Sequence, residues 1–461
     1  MVTEQQVLDE LSKIIDPDFQ RDIVSLGFVQ DMKIEGGTVS FIIELTTPAC
    51  PLSPVFQKQA IDLVGDLPGV EKVLPTMTAR KREDREITAE KSGLKEVKYI
   101  LAISSCKGGV GKSTVAAMLA KTLGARGAKV GLLDADIYGP SVPTLFNLHE
   151  PGVQATADNQ FVPHDVDGVK LMSFGFLMGD GPAVIRGPMV SQYMTQLLHG
   201  VAWGELDYLI IDMPPGTGDI QLTISQAVQI DASVIVTTPH QLSLTDVRKG
   251  IMMFDKVNVP VLGVIENMAY FICDGCDKKH YIFGEAGGKT LEERFGIETI
   301  AELPMTGNLS GSLDALTGGE IAEETTDIVI RTLGKKILEK VNRPEVEFDA
   351  KKIMIKWADG EISTLSNAAL RRACSCALCV DEMTRAPLLD PASVPMDIHA
   401  EKVGIIGNYA ILVDWSDGHN TGFFPYTTIR ELAGKSAADC GSDACGCKGK
   451  GEPPDHPVAV G

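Results

Sequence analysis

The hydrophobic rhythm of this 461-residue chain changes from one region to the next. In residues 1–85, TEQQVLDELSKII spaces its apolar side chains at helical intervals. TVSFIIELTT is a β-rich run, and SPVFQKQAIDLVGDL repeats an amphipathic helical pattern. Together they predict a small α/β domain. ARKREDREITAEKSGLKE, from Ala79 to Glu96, is charged and without apolar period, the pattern of a solvated linker. Over residues 95–345, short apolar runs (KYILAIS, KVGLLDAD, LDYLIIDMPP, ASVIVTTP, VLGVIEN) alternate with helical patterns. Strands apolar on both faces belong in a parallel sheet covered by helices. Residues 346–435 predict a small β-rich domain. KKIMIKWADGEIS reads as a hairpin turning at Asp359-Gly360, and YAILVDWSDGHNTGFF reads as another. Residues 436–461 are rich in Gly, Ala and Pro and read as a flexible tail carrying Cys440, Cys445 and Cys447. The fold class expected is α/β, with a small N-terminal α/β domain and a small β-rich C-terminal domain flanking the covered sheet.

Charge narrows the partners. With 42 basic and 62 acidic side chains the formal net charge is −20, ill suited to gripping nucleic acid or anionic lipid. No run of about 18 apolar residues occurs, so no membrane span is expected. The opening MVTEQQVLDELSKIIDPDF is acidic and amphipathic, neither a secretory signal nor an Arg- and Ser-rich transit segment. The expectation is a cytoplasmic protein, in which ten cysteines are metal ligands or redox thiols rather than disulfides.

The middle region carries the strongest chemistry. CKGGVGKST, residues 106–114, lies between a strand and a helix, the setting of a phosphate-binding loop. Gly108, Gly109, Val110, Gly111, Lys112, Ser113 and Thr114 are the expected nucleotide contacts. The glycines let backbone N–H groups converge on phosphate oxygens. Lys112 neutralises the β/γ phosphates of ATP and Ser113 ligates Mg²⁺. Cys106 stands where the general pattern has glycine and reads as a small filler. Three further groups lie at strand ends: Asp134 and Asp136 in LLDADIYGPS, Asp212 in LIIDMPPGTGD, and Asn267 in VIENMAY, whose amide is suited to reading adenine. All of them in order, each at a carboxyl end, point to a nucleotide hydrolase. Asp136 is expected to orient the attacking water and Asp212 to act through the Mg²⁺ shell.

Two cysteine groups suggest metal. Cys273 and Cys276 supply two thiolates where a closed site wants four, and His280 follows four residues later, so a zinc knuckle competes on spacing. LRRACSCALCVDE places Cys374, Cys376 and Cys379 in C-x-C-x-x-C, too tight a cluster for chance.

These residues resemble known families. KGGVGKS, with its second lysine Lys107, is similar to the deviant-loop ATPases that include MinD, ParA and the nitrogenase iron protein. CKGGVGKSTVAAMLA, DADIYGPSVP, RGPM, DMPPGTGD, ENM and the later C-x-x-C resemble the Mrp/ApbC branch of iron–sulfur cluster carriers across residues 95–345. The resemblance implies a homodimer in which Lys107 reaches the partner's phosphates. It also implies that Cys273 and Cys276 from both copies hold a shared 4Fe-4S cluster, received from a donor and passed to apo-proteins. DPDF, SLGFV and LTTPACP, with Cys50, resemble the PaaD-type iron–sulfur assembly domain. Residues 370–382 resemble the amino-terminal domain of γ-butyrobetaine hydroxylase, where a histidine completes a Zn²⁺ site; the matching residue is His419. The domain order is also similar to that of a chloroplast branch of the Mrp group.

Other functions stay open on the sequence. They are a ParA/MinD-type positioning ATPase, an ATP-gated reductase, and a zinc-binding ATPase without a cluster. The net charge of −20 argues against the first, and bridging cysteines paired in one C-x-x-C argue against the second.

Overall fold

The computed structural model describes residues 2–80, 92–148, 152–178, 187–216, 218–239, 242–273, 275–276, 278–282, 295–305, 319–338, 344–357, 360–376, 378–381, 386–406 and 410–439. The tail cysteines and Asp359 lie outside them. The chain forms two units. One is Met1–Ser105, Gly111–Val234 and Gly307–Lys340; the other is Cys106–Val110, Ile235–Thr306 and Val341–Gly461.

In the first unit the strands Val97–Ser104, Leu206–Asp212, Val130–Asp134 and Val169–Ser173 lie side by side, all parallel. Every residue of Val130–Asp134 is buried, as a strand covered on both faces requires. The sheet is not purely parallel: His164–Val166 returns antiparallel beside Val169–Ser173. Asp167 and Gly168 make the tight turn, with φ of 53° and 79°. Register decides where the chemistry falls: Asp212 stands directly opposite Asp134 at the carboxyl ends of their strands.

The N-terminal residues form a three-stranded sheet of Val29–Glu35, Thr38–Leu45 and Lys72–Ala79, with helices Glu4–Leu11 and Ser53–Gly65. Thr38–Leu45 alternates strictly, burying Val39, Phe41, Ile43 and Leu45 against Val7, Leu11 and Phe56. The LTTPACP turn is fastened to the larger sheet by two tyrosines. Tyr99 Oη donates to the Thr46 carbonyl at 3.0 Å, and Tyr208 Oη donates to the Pro48 carbonyl. Arg331, on the helix Glu320–Leu338, grips the Asp18 carboxylate through its Nε and Nη2.

The stretch expected to be a solvated linker is anchored at its far end. Ser92 and Leu94 are buried, Ser92 Oγ lies 2.9 Å from His199 Nδ1, and Gly93 N–H donates to the His199 carbonyl. One leucine in a charged run is too weak a signal to reveal this.

In the second unit, Val261–Ile272 pairs parallel with Thr299–Met305 and antiparallel with the short strand Lys279–His280. The sequence placed a strand end at Asn267. The strand instead continues, because Met268 takes a left-handed φ of 57° and the register shifts between Glu266 and Tyr270. The C-terminal part has two antiparallel three-stranded sheets. They share one core that includes Trp357, Leu370, Val403, Ile411, Trp415 and Phe424. No helix among the described residues is long and apolar enough to cross a membrane.

A stability prediction follows from Gly93. A Cβ there would be driven into the Val201 carbonyl. Gly93→Ala is expected to cost about 1–3 kcal/mol, whereas Gly152→Ala, with nothing within 4 Å, should be close to neutral. Thermal melting of the two variants checks this; equal melting temperatures would refute it.

Candidate functional site

The loop between the strand Val97–Ser104 and the helix Lys112–Ala125 turns on glycine chemistry. Gly109 and Gly111 have φ of 78° and 83°, the left-handed region that favours glycine. In the first unit Lys112 is almost wholly buried, and its Nζ lies 2.5 Å from Asp212 Oδ1. The other oxygen, Asp212 Oδ2, is buried with no hydrogen-bond partner among the described residues. Burial pushes the Asp212 carboxyl pKa upward, while Lys112 and the Ser113 hydroxyl oppose the rise.

Asp134 is also buried, yet fully engaged. It accepts from the backbone N–H groups of Asp136, Ser141 and Val142 at 3.1 Å each, and from Ser173 Oγ at 3.0 Å. Burial, then the field of Asp212, pushes its pKa to about 7. Its geometry is that of a group that shapes the turn presenting Asp136. Asp136 is half-buried, accepts from Gly139 N–H at 3.2 Å, and contributes its negative field to Asp212. Gln221 ties the Pro-Pro turn, donating to the Pro214 carbonyl and accepting from Ser104 Oγ. No local signal in the sequence marks Gln221 or Ser173.

In the second unit, Asn267 Nδ2 donates to the Val110 carbonyl at 2.9 Å, so the amide expected to read adenine braces the loop. Lys107 Nζ lies 3.1 Å from Asp246 Oδ2 on the helix Leu242–Lys256. One helical turn on, a Cβ at Gly250 would stand 2.8 Å from Cys106 Sγ. Cys106 therefore fills the space that Gly250 leaves. Burial raises its thiol pKa to about 11, far from a reactive thiolate. Asp246 and Gly250 are functional neighbours that the sequence did not single out.

Two metal-type clusters are formed. After the strand ends at Ile272, Cys273 N–H donates to the Lys278 carbonyl and Cys276 N–H to the Cys273 carbonyl. This tight turn, and the pairing of Phe271 with His280, bring the ligand atoms of Cys273, Cys276 and His280 within 4.8 Å of one another. The cluster faces outward, with Cys276 and His280 exposed.

The second cluster is enclosed. His419 Nε2 lies 3.3, 3.5 and 3.8 Å from the sulfurs of Cys374, Cys376 and Cys379. A tetrahedral zinc with bonds near 2.0–2.3 Å has ligand–ligand edges of about 3.5–3.8 Å, so these four atoms fit Zn²⁺. Supporting groups orient them. Arg371 donates to Cys379 Sγ at 3.4 Å, Thr421 Oγ1 to Cys376 Sγ at 3.2 Å, and His419 N–H to Asp417 at 3.0 Å. Cys374 shares a hydrogen bond with Cys376, which raises its own pKa and holds Cys376 down at about 4.

Each region of the chain is similar to a known family. The family described as NUBPL iron-transfer P-loop NTPase matches residues 96–342. Iron-sulfur cluster assembly protein matches residues 4–74, and the gamma-butyrobetaine hydroxylase-like N-terminal family matches residues 345–430. The chloroplastic Fe-S cluster assembly factor HCF101 of Arabidopsis thaliana is 43% identical over 445 residues, covering 93% of this chain and 83% of its own. The iron-sulfur cluster carrier protein of Synechocystis sp. is 45% identical over 310 residues, covering 66% of this chain and 88% of its own. Among solved structures, a nucleotide-binding protein in complex with ADP from Archaeoglobus fulgidus is 38% identical, covering 51% of this chain and 89% of that one, with a TM-score of 0.43. The first family match spans more than half of the chain and the Arabidopsis relative aligns with nearly all of it. The chain therefore belongs to the NUBPL iron-transfer P-loop NTPase family.

Proposed function

We propose that the chain is an ATP-dependent carrier and scaffold for iron–sulfur clusters. It holds a labile 4Fe-4S cluster as cargo at a homodimer interface, receives it from a donor and passes it to apo-proteins. In this reading residues 1–85 are an assembly-factor-like domain, 95–345 the ATPase, 346–435 a zinc-stapled domain and 436–461 a cysteine-bearing tail. It is read as a cytoplasmic protein with neither nucleic acid nor membrane as partner, since a net charge of −20 repels polyanions and anionic lipid.

One observation carries the reading. The strand Val261–Ile272 holds Asn267 on the loop carbonyl of Val110 and runs directly into Cys273. Six residues, bent at the left-handed Met268, separate Asn267 from Cys273, at most about 20 Å of chain, so one strand contacts the loop and ends at the thiolates. Two copies of Cys273 and Cys276 make a Cys₄ set of the kind that holds a 4Fe-4S cluster. Thiolates drawn apart by a rotation between copies lose their cargo.

For hydrolysis, Lys112 leaves Asp212 to meet the β/γ phosphates, and Lys107 leaves Asp246 to meet the partner's phosphates. The unpaired Asp212 Oδ2, with Ser113, fits a Mg²⁺ shell. Bound there, Mg²⁺ supplies charge neutralisation of the phosphates. Asp136 orients the water. Lys112→Ala is expected to reduce phosphate release by about 100–1000-fold. Lys107→Ala should impair hydrolysis more than nucleotide affinity. Steady-state phosphate release with fluorescent-nucleotide binding checks both; undiminished hydrolysis by Lys112→Ala rules the assignment out.

For the cargo, anaerobic reconstitution should yield about one four-iron cluster per two chains. The Cys273→Ser/Cys276→Ser variant should lose cluster binding and transfer while keeping nucleotide affinity. Normal uptake and transfer by that variant would overturn the carrier site. A second reading is favoured by His280, which joins the two thiols in one chain. It adds a Zn²⁺ per chain to the one at Cys374, Cys376, Cys379 and His419, with no cluster, and metal stoichiometry separates the two readings.

A further inference from the structure

Within the second unit, the helix Leu242–Lys256 is contacted from both sides. One side meets the nucleotide loop through Asp246 and Gly250, which receive Lys107 and Cys106. Arg248, two residues past Asp246, points about 200° around the helix axis. Its guanidinium lies 5.1 Å from the centre of the Phe423 ring. Phe423 is buried, and Phe295 packs edge-on against it at 5.5 Å. The residue before it, Gly422, has no room for a side chain, because a Cβ would stand 2.6 Å from Cys374 Sγ. A short covalent and packed path therefore runs from the Cys₃His ligands through Gly422 and Phe423 to Arg248.

One nitrogen of Arg248 is left unpaired: its Nε is buried and has no hydrogen-bond partner among the described residues. Burial disfavours its charge, and the opposing field comes from the sulfurs of Cys376 and Cys374. Three thiolates and a neutral imidazole around Zn²⁺ leave one net negative charge, concentrated on sulfur. A guanidinium stacked on Phe423 balances that charge without replacing a ligand.

We propose that Arg248 is a positioning residue that couples the Cys374/Cys376/Cys379/His419 metal centre to the nucleotide loop. It balances the metal-bound thiolates on one side of the helix, and the helix holds Asp246 against Lys107 on the other. The metal is then more than a local staple, because its loss frees the helix that steadies the loop. The coupling to ATP rests on the nucleotide-site reading above; the effect on metal affinity does not.

The test uses the full-length, zinc-loaded protein. Arg248→Met keeps the apolar stem and removes the charge; Arg248→Lys restores a cation. Competition with a chromogenic chelator, without nucleotide, should show zinc held about 10-fold more weakly in Arg248→Met, with most of the loss recovered in Arg248→Lys. The KM for ATP should rise both in Arg248→Met and in wild type stripped of zinc, and stripping the Met variant should add little further. Unchanged zinc affinity in Arg248→Met refutes the charge-balancing role. A KM unaltered by zinc removal from wild type refutes the coupling. Should Arg248→Met melt early, Arg248→Gln, which also removes the charge, decides the affinity point and zinc-stripped wild type decides the coupling. Failure of the nucleotide reading would show separately, as hydrolysis undiminished in Lys112→Ala.

Discussion

The buried pair of Lys112 and Asp212 is the constraint around which the first unit is arranged. A lysine and a carboxylate almost wholly out of water, 2.5 Å apart, are retained at a desolvation cost of several kcal/mol per ion. Such a pair is a weak stabiliser, since apolar residues of the same volume would pack as well. Here each ion is the other's counter-charge, and Asp212 Oδ2 is left without a hydrogen-bond partner among the described residues. The strand register that sets Asp212 opposite Asp134 raises the stakes, because two buried carboxyls disfavour each other's charge.

The second unit solves a different problem, that of linking sites far apart in sequence. The strand Val261–Ile272 and the helix Leu242–Lys256 each touch the nucleotide loop, one through Asn267 and the other through Asp246. The strand continues into the outward-facing Cys273 and Cys276. The helix meets the enclosed Cys₃His cluster through Arg248 and Phe423. The two metal-type sites contrast in their surroundings. The enclosed one has Arg371, Thr421 and Asp417 orienting its four side chains. The outward-facing one has two exposed residues of three, Cys276 and His280.

Much of this was legible in the chain itself. The alternation of apolar runs with helical patterns announced a covered sheet, since period and burial are local properties. The phosphate loop was legible because left-handed turns demand glycine at set spacings, and Gly109 and Gly111 adopt them. Cys374, Cys376 and Cys379 declared themselves by crowding alone. Asp134, Asp136 and Asp212 were recognisable as strand-end carboxylates.

What each of those groups faces was decided by the tertiary structure. Lys112 and Asp212 are 100 residues apart, Asn267 and Val110 157, and Cys374 and His419 45. No periodicity reaches across such distances; only register and packing bring these atoms together. The fold also drew the distinction between Asp134, closed in by backbone donors, and Asp212, left with an open oxygen. Residue type is the same in both cases. The sequence therefore determined which chemical groups are available and on which kind of element each sits. Hydrogen-bond satisfaction depends on the whole surroundings of an atom, so which group is spent on holding the fold and which stays available for chemistry was set by folding alone.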